Sequence, residues 1–249
     1  MAVIVYSKRG GVTARALGER LGIRAIDEAR LTAADGLGQK IIRWGATREG
    51  PGGLEEVNLR PAIRLASNKL LATHRMHEAG VPVPRTSCDL GNVGVPALGR
   101  SIHHMAGRDI RLIMQSADVR ALGACDYYTK YIPTDAEFRI HVWNGRVFMR
   151  RRKVLQTPAA YVPYIRNYEN GHVFVAVPNW RAEPCGEGID RAAIDACRAL
   201  GLHFAAVDVL RGEPNGEAQT VYVLECNTAP AAQGMTLDAY ATLLTDWIG

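Results

Sequence analysis

The chain has 249 residues, 47% of them hydrophobic and 22% charged, which excludes a disordered tail and leaves room for one large domain or two smaller ones. No apolar run approaches the about 20 residues of a membrane helix, and the opening MAVIVYSKRGG lacks the layout of a signal peptide. The net charge of +5 suits phosphate-bearing ligands but is too small and too dispersed to establish nucleic-acid binding, and five scattered cysteines with no Cys-x-x-Cys spacing point to reduced, cytoplasmic thiols rather than a zinc knuckle or a disulfide frame.

In chain order, AVIVYS predicts a strand, SKRGG a turn, VTARALGERLG a helix, and KIIRWG a second strand ended by Gly45. Residues 1–66 therefore read as a small βαβ-type, Rossmann-like unit. A strand, a Gly-rich turn and a helix in that order also describe a phosphate cradle, but no G-x-x-x-x-G-K-[ST] is present, so a plain turn or a substrate-side role is the stronger reading. KLLATHRMHEAG predicts a helix capped by Ser67 or Asn68 and ended by Gly80, with Pro82 and Pro84 forbidding continuation. His74 and His77 on it read as a solvated face, because no third ligand accompanies them. PALGR and DIRLIM read as strands around the loop SIHHMAG, and ADVRALGA as a short helix. DYYTKYIP reads as a strand, and AEFRIHVWNGRVFMRRRKVL as a hairpin turning at Asn144-Gly145. A helix over DRAAIDACRALG, two strands FAAVDVL and TVYVLECN, and a closing helix LDAYATLLTDWIG complete the chain.

The last two strands carry polar groups that an apolar strand does not need. Glu225 and Asn227 lie two apart, so both face the same side of their strand, and Asp208 sits on the preceding strand of the same antiparallel hairpin. Three oxygen donors so placed describe a Mg²⁺ site that completes its shell with water and phosphate oxygens. Taken alone, a salt-bridged or solvated hairpin end describes them equally well. The run Arg150 to Lys153 is open in the same way. It is either a solvated face, or one alternating pair points into a cleft and the other into water, and the inward choice of Arg150 and Arg152 suits phosphoryl transfer.

Four blocks between about Asn58 and Gly234 resemble the ATP-grasp enzymes in order and spacing. NKLLATHRMHEAGVPVPRT resembles their helix leading into the nucleotide region, TKYIP their adenine hinge, EFRIHVWNGRVFMRRRKV the hairpin that follows, and AVDVL with VYVLECNTAP their metal hairpin. The resemblance implies an α+β ATP-grasp fold with a short Rossmann-like N-terminal unit at 1–66, a middle subdomain at 67–126 and a C-terminal subdomain at 127–249. It also implies ATP and Mg²⁺ as cofactors, with Asp208, Glu225 and Asn227 on the metal and Lys130, Tyr131 and Ile132 along the adenine. Arg100 stands where the family has a phosphate-binding lysine, and Gly107 is the sole glycine left of a Gly-rich loop that here carries His103 and His104. Arg139, Arg150, Arg152 and Asn167, with Arg166 beside it, would act on phosphate and acceptor. His141 and His203 read as packed rather than catalytic.

The implied activity is that of a cytoplasmic, ADP-forming carboxylate–amine ligase of the type that adds glutamate to ribosomal protein tails. Its substrates would be small-molecule or peptide carboxylates and amines, with a nucleic-acid-borne acceptor also open. A small-molecule kinase on the same scaffold and a non-catalytic nucleotide- or nucleic-acid-binding module are the alternatives.

Overall fold

The computed structural model of the chain describes residues 1–249 apart from 36–37, 51, 103–109, 120–122, 124, 158–163 and 214–219. Its described strands fall into three sheets.

The first holds β1 (Ala2–Tyr6), β2 (Arg24–Asp27), β3 (Lys40–Trp44) and β4 (Glu55–Val57), all parallel, in the order β2-β1-β3-β4. Every residue of β1 is buried, as a parallel strand covered on both faces requires. Helix α1 (Gly11–Leu21) returns over it and ends at Gly22, whose φ of 64° is open to glycine without strain. β2 and β4 were not expected from sequence. They are short and carry charges, so little apolar alternation marks them.

Helices α2 (Arg60–Ser67) and α3 (Lys69–Glu78) meet at Asn68, whose side chain accepts from the Leu71 N–H at 3.1 Å as the α3 N-cap. His74 and His77 are exposed on α3. The second sheet follows, with β5 (Thr86–Ser87), the short helix α4 (Leu90–Val93), β6 (Ala97–Arg100), β7 (Arg111–Ile113) and β8 (Tyr127–Lys130). Its order is β5-β8-β6-β7, all antiparallel. β8 thus belongs to the middle sheet, although the sequence division put it with the C-terminal part. Its partners β5 and β6 are some thirty to forty residues upstream, and local pattern carries no sign of them.

The third sheet is antiparallel, in the order β11-β10-β9-β12-β13. It is built from β9 (Thr134–Trp143), β10 (Arg146–Leu155), β11 (His172–Ala176), β12 (Phe204–Gly212) and β13 (Val221–Asn227). Asn144 and Gly145 join β9 to β10 with φ of 43° and 73°, the positive pair that a tight two-residue hairpin demands. Phe138, Ile140, Val207, Val209 and Val223 form one face of the sheet, packed under α5 (Gly186–Leu200). Buried Ala192, Ala193 and Ala196 let this helix sit close.

Part of the opposite face is covered by the N-terminal unit and by α6 (Met235–Ile248). Trp44 stacks on Phe204 at 5.0 Å and meets Tyr240 edge-on at 5.1 Å. Asn58, fully buried at a φ of 60°, pins the same junction. Its side chain donates to Phe204 O at 2.8 Å and accepts from the N–H of His203 at 2.8 Å. Its own N–H donates to His203 Nδ1 at 3.0 Å, which fixes that ring as a neutral acceptor at this nitrogen. The rest of this face stays open as a cleft.

Candidate active site

The cleft has a volume of about 750 Å³ and lies between the open face of the five-stranded sheet and the middle sheet. Strand register sets its chemistry. Arg151 of β10 pairs with Arg139 of β9, Arg139 with Asp208 of β12, and Asp208 with Glu225 of β13. Directly opposed residues share a face, so these four charges form one row across four strands. The neighbouring row runs Met149, His141, Ala206, Asn227. Between Asp208–Glu225 and Val209–Val223 the ladder slips, leaving Leu224 as an inserted residue. This bulge lets Leu224 and Glu225 both line the cleft while Val223 stays in the core.

The row is held by charged hydrogen bonds. Arg139 grips Asp208 with two parallel contacts, Nε to Oδ1 at 2.7 Å and Nη2 to Oδ2 at 2.8 Å. The same guanidinium lies 4.2 Å from the centroid of Phe174. Burial works against the Arg139 charge, but Asp208 outweighs it and the guanidinium is held more firmly protonated than usual. Glu225 takes an ion pair from Lys69, the first residue of α3, at 2.6 Å and a hydrogen bond from Asn227 Nδ2 at 3.1 Å. Burial opposes its charge too, yet Lys69 and Asn227 keep its carboxyl below the ordinary range. Asp208, Glu225 and Asn227 therefore converge, offering two carboxylates and an amide whose oxygen can be turned inward. These are the donors a hard divalent cation takes.

The geometry has counterparts among solved structures. The ATP-grasp ligase PsnB in complex with a minimal precursor is similar at a TM-score of 0.67 and 13% identity, over 100% of this chain and 98% of that one. The complex of PsnB with minimal precursor, Mg and ADP is similar at 0.65 and 14%, over 99% and 96%. The macrocyclase MdnC with precursor peptide MdnA from Microcystis aeruginosa MRC is similar at 0.58 and 12%, over 99% and 100%. The chain has the ATP-grasp fold. By sequence it matches no family model and no curated protein.

Within this ATP-grasp cleft, Arg100, Lys130, Tyr131 and Ile132 line the wall formed by the middle sheet and its exit. The N–H groups of Lys130 and Tyr131 already donate within the protein, to Arg85 O at 2.8 Å and Pro96 O at 3.1 Å, and Lys130 Nζ donates to Val95 O at 2.8 Å. Arg166 and Asn167 line the cleft near β11. Arg166 donates to Thr134 O at 2.9 Å, and Asn167 Oδ1 accepts from the Asn170 N–H at 2.9 Å. Gly107, His103 and His104 lie outside the described residues.

Arg150 and Arg152 are not in the cleft. Arg151 and Lys153 take the inward positions, opposite Arg139 and Glu137, while Arg150 and Arg152 share the face of Ile140 and Phe138 under α5. Arg150 is tied there to Asp190 at 2.7 Å and Arg152 to Glu183 at 3.5 Å. Alternation was expected, but both pairs are basic, and which one faces inward is set by tertiary acids on and beside α5.

Other cleft residues had no role assigned from sequence. Lys69 belongs to the Asn-Lys start of α3, which was a marker of resemblance and nothing more. Lys153 contacts Glu137, whose carboxyl is pushed up by burial against the pull of that lysine. Arg151 donates from Nη2 to Thr236 Oγ1 at 2.9 Å, and the Thr236 hydroxyl contacts Met149 Sδ at 3.2 Å. His141 reaches the cleft wall, but its Nδ1 lies 3.0 Å from the Tyr240 hydroxyl. Burial, with Arg139 and Arg151 nearby, lowers its pKa to about 3, so it stays neutral. Among the described residues no helix is long and apolar enough to cross a membrane.

Proposed function

We propose that this chain is an ATP- and Mg²⁺-dependent, ADP-forming carboxylate–amine ligase whose carboxylate is carried on a peptide. The observation that carries the reading is the convergence of Asp208, Glu225 and Asn227 on the cleft face, in line with the cationic pair Arg139 and Arg151. The complex of PsnB with Mg and ADP supports the cofactors, and the precursor peptides bound to PsnB and MdnC support a peptide substrate.

Asp208, Glu225 and Asn227 would hold the cation. When bound, Mg²⁺ screens the β- and γ-phosphates and stabilises the departing ADP. Ile132 with Lys130 and Tyr131 borders the adenine, and Arg100 faces the phosphates. Arg139 is locked by Asp208 and Phe174 and keeps the floor of the cleft positive. Arg151, steadied by Thr236, has no carboxylate partner among the described residues and holds the substrate carboxylate in line with the γ-phosphorus. A carboxylate oxygen attacks that phosphorus, the bond to ADP breaks, and an acyl phosphate forms. The amine then attacks the acyl carbon, phosphate leaves, and the surplus amine proton is lost, giving the amide. Charge neutralisation and alignment are the whole of the contribution asked of the protein, and no side-chain nucleophile is required.

The first test is a panel of peptide and amino-acid carboxylates incubated with ATP, Mg²⁺ and hydroxylamine. The reading predicts a hydroxamate accumulating in step with ADP. ADP with a stable phosphorylated product would mean a kinase, and AMP in step with product would refute the mechanism.

A further inference from the structure

We infer that Lys69 is a counter-ion gate that makes the divalent-cation site depend on nucleotide. The inference rests on the metal reading given above and goes beyond it. All four carboxylate oxygens of the site are engaged by side chains of this chain. Both Asp208 oxygens take Arg139, one Glu225 oxygen takes Lys69 at 2.6 Å, and the other takes Asn227 at 3.1 Å. A cation that needs these oxygens competes with a guanidinium and an ammonium already in place.

The two competitors differ. Arg139 is fixed by its bidentate contact and by Phe174, and it shares the sheet with Asp208. Lys69 comes from a separate element, the start of α3, on a flexible four-carbon stem with its side chain 29% exposed. Lys69 is therefore the group that moves, and Glu225 is the ligand it releases.

The cleft charge decides when it moves. Among the described residues, seven Lys or Arg side chains line the cleft against three Asp or Glu. A divalent cation arriving alone adds positive charge to that surplus and has to push Lys69 off its carboxylate as well. A polyphosphate reverses the balance. It brings negative charge for Lys69 to turn to, and it supplies oxygen ligands that the three side chains do not provide.

The test uses Mn²⁺ as an electron-paramagnetic probe of the full-length protein, with and without ADP, reading the protein-dependent loss of the free-ion signal. The wild type is expected to bind Mn²⁺ weakly alone and at least roughly tenfold more tightly with ADP. Removing one charge-assisted competitor in Lys69→Met should tighten nucleotide-free Mn²⁺ binding by about ten- to a hundredfold and shrink the ADP dependence. Lys69→Gln should behave likewise, which guards against a folding defect in one variant. Glu225→Gln should weaken Mn²⁺ binding under both conditions. Nucleotide-free affinity unchanged in both Lys69 variants overturns the gate, as does wild-type affinity that is equally tight without ADP. Absence of Mn²⁺ binding in every protein, even with ADP, overturns the metal reading itself and the gate with it.

Discussion

Asp208 and Glu225 sit opposite each other on one hairpin, yet their substitutions should behave differently. Asp208 is 4% exposed and is the partner of the Arg139 guanidinium, whose side chain is 21% exposed. Converting it to Asn leaves that charge without its counter-ion, at a cost below the about 3–5 kcal/mol of breaking a fully buried pair, because the guanidinium keeps some contact with water. Asp208→Asn should therefore lose turnover and also unfold at lower urea concentration. Glu225 pairs with Lys69, an ammonium 29% exposed at the cleft and able to turn to water, so Glu225→Gln should abolish turnover with a urea midpoint close to wild type. Equal destabilisation by the two variants would contradict the division of labour between Arg139 and Lys69. Identity at these positions was legible in sequence, because an acid and an amide two apart on an apolar strand demand a reason. The ion pairs were not, since Lys69 and Arg139 are 156 and 69 residues from their partners.

The strand is the scale at which sequence reading went astray. β10 was legible as a strand, and its Asn-Gly turn fixed its pairing with β9. Its facing was not, because Arg150, Arg151, Arg152 and Lys153 give both parities the same charge. The information lay elsewhere, in Phe138 and Ile140 of β9, which join the core and carry Arg152 and Arg150 to their face. Strand β8 shows the same limit, since its partners are far upstream. The inward position of Arg151 has a kinetic consequence. Arg151→Ala should raise the KM for the carboxylate substrate by one to two orders of magnitude, roughly the loss of one charge-assisted contact, with ATP affinity little changed. Arg152→Ala should leave both constants near wild type. Steady-state kinetics with each substrate varied in turn checks this, and the reverse ranking would return Arg152 to the cleft.

Over the whole molecule, the N-terminal unit, α6 and the five-stranded sheet are joined through one aromatic cluster and through Asn58 and His203. That junction is sensitive to acid. His203 accepts a hydrogen bond at Nδ1, and burial lowers its pKa below 6.5; burial with the neighbouring arginines does the same to His141. The folded state thus binds these protons less readily than the unfolded chain. Stability from this source is complete above about pH 6.5, the unfolded value, and falls as the pH drops below it. Glu137, with its raised pKa, works in the opposite direction, so the comparison is between wild type and His203→Gln. Urea unfolding from pH 7 to 5 should show a shallower loss in the variant, and identical slopes would remove His203 from the effect. The chemistry of the whole cleft is tested most directly by following oxygen. With a substrate carboxylate labelled with ¹⁸O, attack on the γ-phosphorus moves one labelled oxygen into the acyl phosphate and then into the released inorganic phosphate. The account predicts one ¹⁸O in that phosphate for each amide formed, whereas label in AMP, or amide formed with unlabelled phosphate, would contradict it.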